Sequence, residues 1–207
     1  MNHDLARTMP NNLLSLEGDI FEIRYRQQHC SHRKLIFALQ EFPQDVIVTC
    51  DDDVMYDKIW LELLYKESLG YPNEIIAYNC REISYGVGGV LPYRQWPYTK
   101  ERGRTSKMFL PIGCYGVLYP VDSLHPDVIN QKLYLKLAPK ADDLWFKAMS
   151  LLQGVAVRRA SQICKYPIPI IGAKGNSLAK SNIANDGNRL QWEAICNHYK
   201  IDPRSNY

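Results

Sequence analysis

Hydrophobic residues in the first half of the chain recur in short runs that alternate between strand-like and helical spacing. The run of β-branched and small residues at 46–50 is typical of a strand that is buried on both faces. Apolar positions three and four apart predict helices that stop at Pro43 and at Gly70. The predicted elements are a strand over 20–25, a helix over 34–42, a central strand over 46–50, a helix over 58–69 and a strand over 74–83. This alternation predicts an α/β fold.

The second half of the chain is less regular. Residues 86–104 hold several glycines and prolines with tyrosine and tryptophan between them, which predicts a long functional loop or hairpin rather than a helix. Its aromatic side chains either pack on the sheet or bind sugar. Residues 108–120 are apolar but are interrupted by Gly113 and Gly116. Three more elements follow from apolar spacing: a helix Asp142–Leu152 capped by Gly154, a strand over 155–157 and a last helix over about 189–199. We expect one domain, 1–207, with a mixed sheet flanked by helices.

Composition narrows the classes of function. The chain has 207 residues, of which 46% are hydrophobic and 23% charged, as in an ordinary globular protein. A net charge of +3 without a block of Lys and Arg argues against nucleic acid as a partner. No apolar run reaches the ~20 residues of a membrane span, and the polar start lacks the apolar core of a signal peptide. The six cysteines form no C-x-x-C pair, which favours a reduced, cytoplasmic chain.

Three consecutive carboxylates, Asp51, Asp52 and Asp53, end the central strand. A strand of an open α/β sheet delivers the residues that follow it to the carboxyl edge, where ligands bind. Adjacent carboxylates repel one another, and Mg²⁺ or Mn²⁺, which prefers carboxylate oxygen and shares its shell with phosphates, offsets that repulsion. The pattern predicts a metal–diphosphate site centred on Asp51 and Asp53. The alternative is a solvated acidic loop.

A second acidic pair, Asp142 and Asp143, stands at the start of a predicted helix. One of the two is explained as an N-cap that accepts free backbone N–H groups. The other is then available to face a cleft and act on a substrate. The glycines at 113 and 116 have two interpretations as well, either a close approach of backbone to ligand or ordinary turns.

Three blocks of sequence occur in a defined order: VIVTCDDDVMYDKIWLELL over 46–64, PIGCYGVLYP over 111–120 and PKADDLWFKAMSLLQG over 139–154. In content and order they resemble blocks of GT-A-fold glycosyltransferases of the family 2 type, of the sort found with bacterial capsule and lipopolysaccharide biosynthesis. The resemblance extends from about Asn11 to Tyr199. It implies a GT-A-like (Rossmann-like) fold, a nucleotide-sugar donor, a glycan or lipid-linked acceptor, and a cytoplasmic location that includes peripheral association with the inner face of the membrane.

The resemblance also implies roles for individual residues. The acidic triplet matches the D-x-D motif, in which Asp53 binds the Mg²⁺ or Mn²⁺ that bridges the donor diphosphate, while Asp51 and Asp52 belong to the donor site. Asp143, or else Asp142, matches the catalytic base that takes a proton from the acceptor hydroxyl. The glycines at 113 and 116 let the backbone approach the sugars, and Tyr115 flanks them. Relatives begin with an additional strand and helix, so the resemblance makes this chain a shortened or truncated member, or one whose nucleotide pocket another segment completes.

Two alternatives from other classes stay open. In a phosphatase of the haloacid dehalogenase type, Asp51 would be the nucleophile and Asp53 the acid/base, although Met55 stands where that motif has Thr or Val. A non-catalytic GT-A remnant would act in sugar binding or in protein interaction. Weaker candidates for substrate contacts are Arg81, Arg94 and Asp186.

Overall fold

A mixed five-stranded sheet organises the chain. The computed structural model describes residues 8–27, 30–170, 182, 185–202 and 204. The helices are α1 (Asn11–Leu14), α2 (Arg33–Glu41), α3 (Trp60–Gly70), α4 (Gln131–Leu137), α5 (Asp142–Leu152) and α6 (Gly187–Tyr199). The strands are β1 (Ile47–Thr49), β2 (Val54–Met55), β3 (Ile75–Ala77), β4 (Cys80–Glu82), β5 (Tyr85–Gly86), β6 (Gly89–Val90), β7 (Thr105–Ser106), β8 (Phe109–Pro111), β9 (Val117–Tyr119), β10 (Val157–Arg159) and β11 (Ile168–Pro169).

The main sheet has the strand order β1-β9-β3-β10-β7. Strand β9 is antiparallel to both β1 and β3, whereas β10 is parallel to β3 and antiparallel to β7. Strands β1, β3 and β10 therefore run in the same direction, and their carboxyl ends meet at one edge of the sheet. This edge receives the residues that follow each of these three strands.

Helices cover both faces of this sheet, as the period-two pattern of its strands requires. In β3, Ile75 and Ala77 pack into the larger core with side chains from α2, α5 and α6. Ile76, between them, packs on the other face with Trp60 and Leu64 of α3. The predicted mixed α/β domain with flanking helices is confirmed at this level.

The helix predictions are close to the structure, and α5 has the predicted bounds, Asp142–Leu152. Its end is set by Gly154, which has a φ of 79° that favours glycine. The N–H of Gly154 donates to the carbonyl of Leu151, and the N–H of Val155 donates to that of Ser150. The strand predicted over 155–157 begins only at Val157, because residue 155 completes this helix end.

Two strand predictions need correction. Residues 20–25 form no strand, and the backbone pairs only through an isolated bridge between Gly18 and Phe21. The N–H of Ile23 donates instead to the Glu17 carboxylate. Ile20 is fully exposed and Ile23 is the one buried residue of the segment, so its apolar positions do not form the buried face of a strand. The strand predicted over 74–83 is divided between β3 and β4, which pair with different partners, β9 and β8.

The strand that leads to the acidic triplet was predicted to be central, and this prediction is wrong for the part of the chain that the structure describes. There β1 is the first strand of the sheet and pairs with β9 alone. Its apolar side chains are covered by α2 on one face, which explains why its sequence reads as a buried strand. Among the described helices, none is long and apolar enough to cross a membrane.

Candidate active site

Lys34, near the start of α2, lies between carboxylates from two distant parts of the chain. Its Nζ is 3.1 Å from Oδ1 of Asp51, just after β1, and 3.0 Å from Oδ2 of Asp142, the first residue of α5. Burial alone would lower the pKa of this ammonium. The carboxylates of Asp142, Asp143 and Asp51 outweigh burial and hold the pKa of Lys34 well above its ordinary value. Lys34 is therefore the cation of a cluster, called here the acidic centre, that also contains Asp51, Asp142 and Asp143.

Neither aspartate at the start of α5 caps the helix. The N-cap is Ala141, which makes no side-chain capping bond, so the prediction that one aspartate is an N-cap is wrong. Asp142 turns to Lys34, and the Asp143 carboxylate accepts a hydrogen bond of 3.1 Å from the backbone N–H of Gly113. Both carboxylates are thus directed into the acidic centre.

Gly113 begins a short 3-10 helix, Gly113–Tyr115, that packs against the acidic centre. A Cβ at this position would lie 2.6 Å from Oδ1 of Asp143 and 2.6 Å from Nζ of Lys34. A side chain at this position would therefore displace both charged groups. In the structure Gly113 closely approaches the acidic centre, while its approach to a ligand stays a prediction.

The two adjacent carboxylates of α5 have opposite pKa shifts. Burial would raise the pKa of Asp142, but the charge and hydrogen bond of Lys34 dominate and lower it. Burial and the negative charge of Asp142 raise the pKa of Asp143 to about 7, against partial compensation by Lys34 and the Gly113 N–H. When two neighbouring carboxyl groups have opposite pKa shifts, one stays ionised and the other has a pKa suited to proton transfer near neutral pH.

Aromatic side chains connect the acidic triplet to the 3-10 helix. The Tyr56 hydroxyl accepts a hydrogen bond of 2.9 Å from the Asp51 N–H and donates one of 3.0 Å to the Cys114 carbonyl. The Trp60 indole N–H donates to the Tyr115 carbonyl at 2.9 Å. Gly116 has a φ of 96°, and a Cβ there would lie 2.2 Å from the Trp60 ring. The close approach at Gly116 is thus to Trp60.

Asp52 and Asp53 are exposed, unlike Asp51. The carbonyl of Asp53 accepts a hydrogen bond of 2.8 Å from the N–H of Ile170, which fixes the backbone at this position. Asp52 lines a cavity of about 310 Å³, called here the basic cavity, whose other lining residues are Arg24, Arg26, Arg33, Lys34, Phe37, Ala38, Glu41 and Phe42. The acidic triplet therefore borders a concave surface rich in cationic side chains.

The predicted metal site has carboxylates but no preassembled cage. Among the described residues, no group of three or more His, Cys, Asp and Glu side chains is arranged to hold a metal ion. Mg²⁺ is usually held by one or two carboxylates together with substrate phosphates, so a complete protein cage is not needed. The ion pairs of the described residues leave both Asp52 and Asp53 without a cation within 4 Å. An exposed Asp53 with a fixed backbone fits such a shared site.

Two of the three weaker candidates, Arg81 and Asp186, have contacts that stabilise the loop after β6. The Arg81 guanidinium donates to the Trp96 carbonyl at 2.6 Å and lies 4.1 Å from the centre of the Tyr98 ring. The Asp186 carboxylate accepts a hydrogen bond of 2.9 Å from the Tyr93 N–H. Arg94 is exposed in a short 3-10 helix. These contacts give Arg81 and Asp186 a structural role.

A second cavity, of about 370 Å³, lies at the same edge of the sheet. It is called here the tyrosine pocket, and its lining residues are Asn79, Tyr98, Thr99, Tyr115, Arg159 and Tyr166. Asn79 follows β3, and Arg159 ends β10. Of these residues only Tyr115 was predicted from the sequence, although Tyr98 lies in the aromatic segment 86–104 that was considered for sugar binding.

Comparisons with known proteins assign no family to this geometry. No protein-family model, no curated protein and no solved structure matches the chain. The chain is thus defined by its fold and its site: a mixed α/β domain with an acidic centre at the carboxyl end of β1.

Proposed function

We propose that the chain is a metal-dependent glycosyltransferase with a GT-A fold of the family 2 type. It would transfer a sugar from a nucleotide donor to a surface glycan, either free or lipid-linked. The observation that carries the proposal is the convergence around Lys34 of the three sequence blocks that resemble this family. Asp51 comes from the first block, Gly113 from the second, and Asp142 with Asp143 from the third. We place the reaction in the cytoplasm, with peripheral association at the inner face of the membrane.

In this proposal Asp143 is the general base. Its raised pKa allows it to take the proton from an acceptor hydroxyl near neutral pH. The acceptor oxygen then forms a bond to the anomeric carbon of the donor, and the bond from that carbon to the diphosphate oxygen breaks, with the electron pair leaving on the diphosphate. Asp142 stays ionised and holds Lys34 beside the base. The Gly113 N–H orients the base through its hydrogen bond.

The basic cavity is the proposed site of the donor diphosphate. Arg33 and Lys34 line it together with Asp52, so cationic groups lie beside the acidic triplet. Arginine and lysine side chains are the usual partners of phosphate oxygens. Asp53 would hold Mg²⁺ or Mn²⁺, with the second oxygen of Asp51 as a further ligand. Bound there, the ion would offset the negative charge on the departing diphosphate.

The proposal is tested by isothermal titration calorimetry of the chain with UDP and with GDP, in the presence and absence of Mn²⁺. We expect binding of one nucleotide that needs Mn²⁺ and is lost in Asp53→Asn. The matched control is Asp45→Asn, an exposed aspartate that lies before β1 and should leave binding unchanged. Absence of nucleotide binding by the folded chain would contradict the proposal in favour of a non-catalytic protein. Release of phosphate from a generic phosphomonoester would favour the phosphatase.

A further inference from the structure

Two neighbouring arginines at the end of β10 differ in their charge partners. The Arg158 guanidinium pairs with the Glu67 carboxylate at 2.7 Å. Arg159 is 6% exposed, and no carboxylate of the described residues lies within 4 Å of its guanidinium. It donates one hydrogen bond to the Thr99 carbonyl, and its Nε has no partner in the described part of the chain. A buried guanidinium without a counter-anion is costly.

This uncompensated cation lines the tyrosine pocket. Burial, and then the positive charge of Arg102, lower the pKa of Arg159. An anion bound in the pocket would supply the missing charge and accept hydrogen bonds from the guanidinium. The ligand expected from Arg159 alone is therefore anionic.

The other residues of the pocket suit a ring that carries hydroxyl groups. Tyr115 and Tyr166 form an edge-to-face pair with ring centres 5.4 Å apart, which provides aromatic surface. Asn79 is 5% exposed, and its Oδ1 has no hydrogen-bond partner among the described residues. A buried carbonyl oxygen of this kind needs a donor, and a hydroxyl group of a ligand is one.

We infer that the tyrosine pocket binds a sugar ring with an anionic substituent, the anion on Arg159, a ring hydroxyl on Asn79 and the ring against Tyr115 and Tyr166. Tyr115 belongs to the 3-10 helix whose first residue, Gly113, contacts Asp143, so the pocket adjoins the proposed base. If the chain is the proposed transferase, the acidic sugar bound in the tyrosine pocket is the acceptor, and this part of the inference rests on the proposed function. The acceptor is then a glycan unit that carries a carboxylate or a phosphate.

The test is ligand-observed NMR and calorimetry on the full chain with four probes: glucuronic acid, glucose 6-phosphate, glucose and inorganic phosphate. We expect an acidic sugar to bind at least tenfold more tightly than glucose. Stronger binding of glucuronic acid would identify a carboxylate as the anion, and stronger binding of glucose 6-phosphate would identify a phosphate. Equal binding of glucose and the acidic sugars, or no binding of either acidic sugar, would overturn the inference, as would binding of inorganic phosphate as tight as that of the acidic sugars.

Substitutions test whether the acidic sugar binds in the tyrosine pocket. Arg159→Gln should weaken binding of the acidic sugar at least tenfold, whereas Arg102→Gln, which removes a nearby guanidinium that does not line the pocket, should weaken it far less. Tyr166 is 61% exposed, so Tyr166→Ala keeps the fold and should also weaken binding even if Arg159→Gln does not fold. Wild-type affinity in Tyr166→Ala, or in a folded Arg159→Gln, would refute the site.

The nucleotide titrations separate this inference from the proposed function. Binding of an acidic sugar that depends on Arg159, without any nucleotide binding, would support the pocket and refute the transferase. Nucleotide binding that depends on Mn²⁺, without acidic-sugar binding, would support the transferase and refute the pocket. Tyr166→Ala should leave nucleotide affinity unchanged, because Tyr166 lies outside the basic cavity.

Discussion

The Lys34 ammonium lies 3.0 Å from the Asp142 carboxylate, and this ion pair joins the start of α2 to the start of α5. The adjacent aspartates 142 and 143 have pKa shifts in opposite directions. Asp142 is held ionised by the cation, and its charge then helps burial to keep a proton on Asp143 up to about neutral pH. Burial and Lys34 together thus shift the pKa values of the two aspartates in opposite directions.

Replacing Lys34 should destabilise the fold in a manner that depends on pH. Lys34→Met leaves the carboxylates of Asp51 and Asp142 without their shared cation, and we expect a loss of about 3 kcal/mol in the free energy of unfolding at pH 8. Because Lys34 lowers the pKa of Asp142 in the folded protein, that contribution is present above the unfolded pKa and is lost as pH falls. Urea unfolding at pH 8 and at pH 3, below the unfolded aspartate pKa of 3.8, measures both, and the destabilisation should be smaller at pH 3.

The control for this prediction is Lys58→Met, since Lys58 is exposed just before α3. It should change stability by no more than about 0.5 kcal/mol at either pH. A loss of stability in Lys34→Met that is the same at both pH values would contradict the assigned ion pairs.

If the chain is a transferase, its rate should follow the ionisation of Asp143. Only the ionised carboxylate accepts a proton, so kcat/KM should rise tenfold per pH unit below about 7 and level off above it. Asp143→Asn should reduce kcat by about 10²–10⁴-fold while nucleotide affinity is retained. Initial rates from pH 5 to 9 provide the measurement, with Asp45→Asn as the matched control. A folded Asp143→Asn with wild-type kcat would exclude this base.

Gly116 should not tolerate a side chain. Gly116→Ala places a Cβ 2.2 Å from the Trp60 ring at a backbone φ of 96°, so both the ring and the backbone are strained. We expect a loss of about 3 kcal/mol in stability. Gly88→Ala is the control, because a Cβ there has no atom within 4 Å and should change stability little. Thermal unfolding of the two variants checks the contrast, which equal melting temperatures would contradict.

The sequence predicts those features that local signals determine. Helix α5 is predicted with its true bounds because its apolar spacing is unbroken and Gly154 stops it. The strand expected over 20–25 is absent, because alternation of side chains does not reveal that Glu17 captures the N–H of Ile23. The edge position of β1 is likewise a property of the whole sheet.

Some residues of the candidate site can be predicted from the sequence, and others are found only in the fold. Asp51 and Asp143 are conspicuous in the sequence because they follow a strand and begin a helix. Lys34 carries no such signal, since its partners come from other elements and only the fold brings them within 3.1 Å. Arg159 resembles Arg158 in sequence, and only the packing of Glu67 against one of them distinguishes the two.

A buried lysine away from the acidic centre should limit the stability of the fold. Lys147 in α5 is 1% exposed, and its Nζ has no hydrogen-bond partner among the described residues. Burial lowers its pKa to about 7; Cys80 raises the pKa and Lys107 lowers it further, both to a lesser extent. Lys147→Met keeps the shape and removes the buried polar group. It should raise the free energy of unfolding at pH 7 by about 1–3 kcal/mol.

The pH dependence of this gain has a definite sign. Above pH 7 the folded chain has released the Lys147 proton while the unfolded chain, with an ordinary lysine pKa of 10.5, still binds it. Wild-type stability therefore rises with pH in this interval, and the advantage of Lys147→Met should shrink between pH 7 and 9. The window ends at 9, where the Cys80 thiol, whose pKa burial raises to about 12, begins to contribute the opposite slope. Urea unfolding across this window, with exposed Lys132→Met as control, measures the difference, and an advantage that stays constant with pH would show that Lys147 is not titrating in the core.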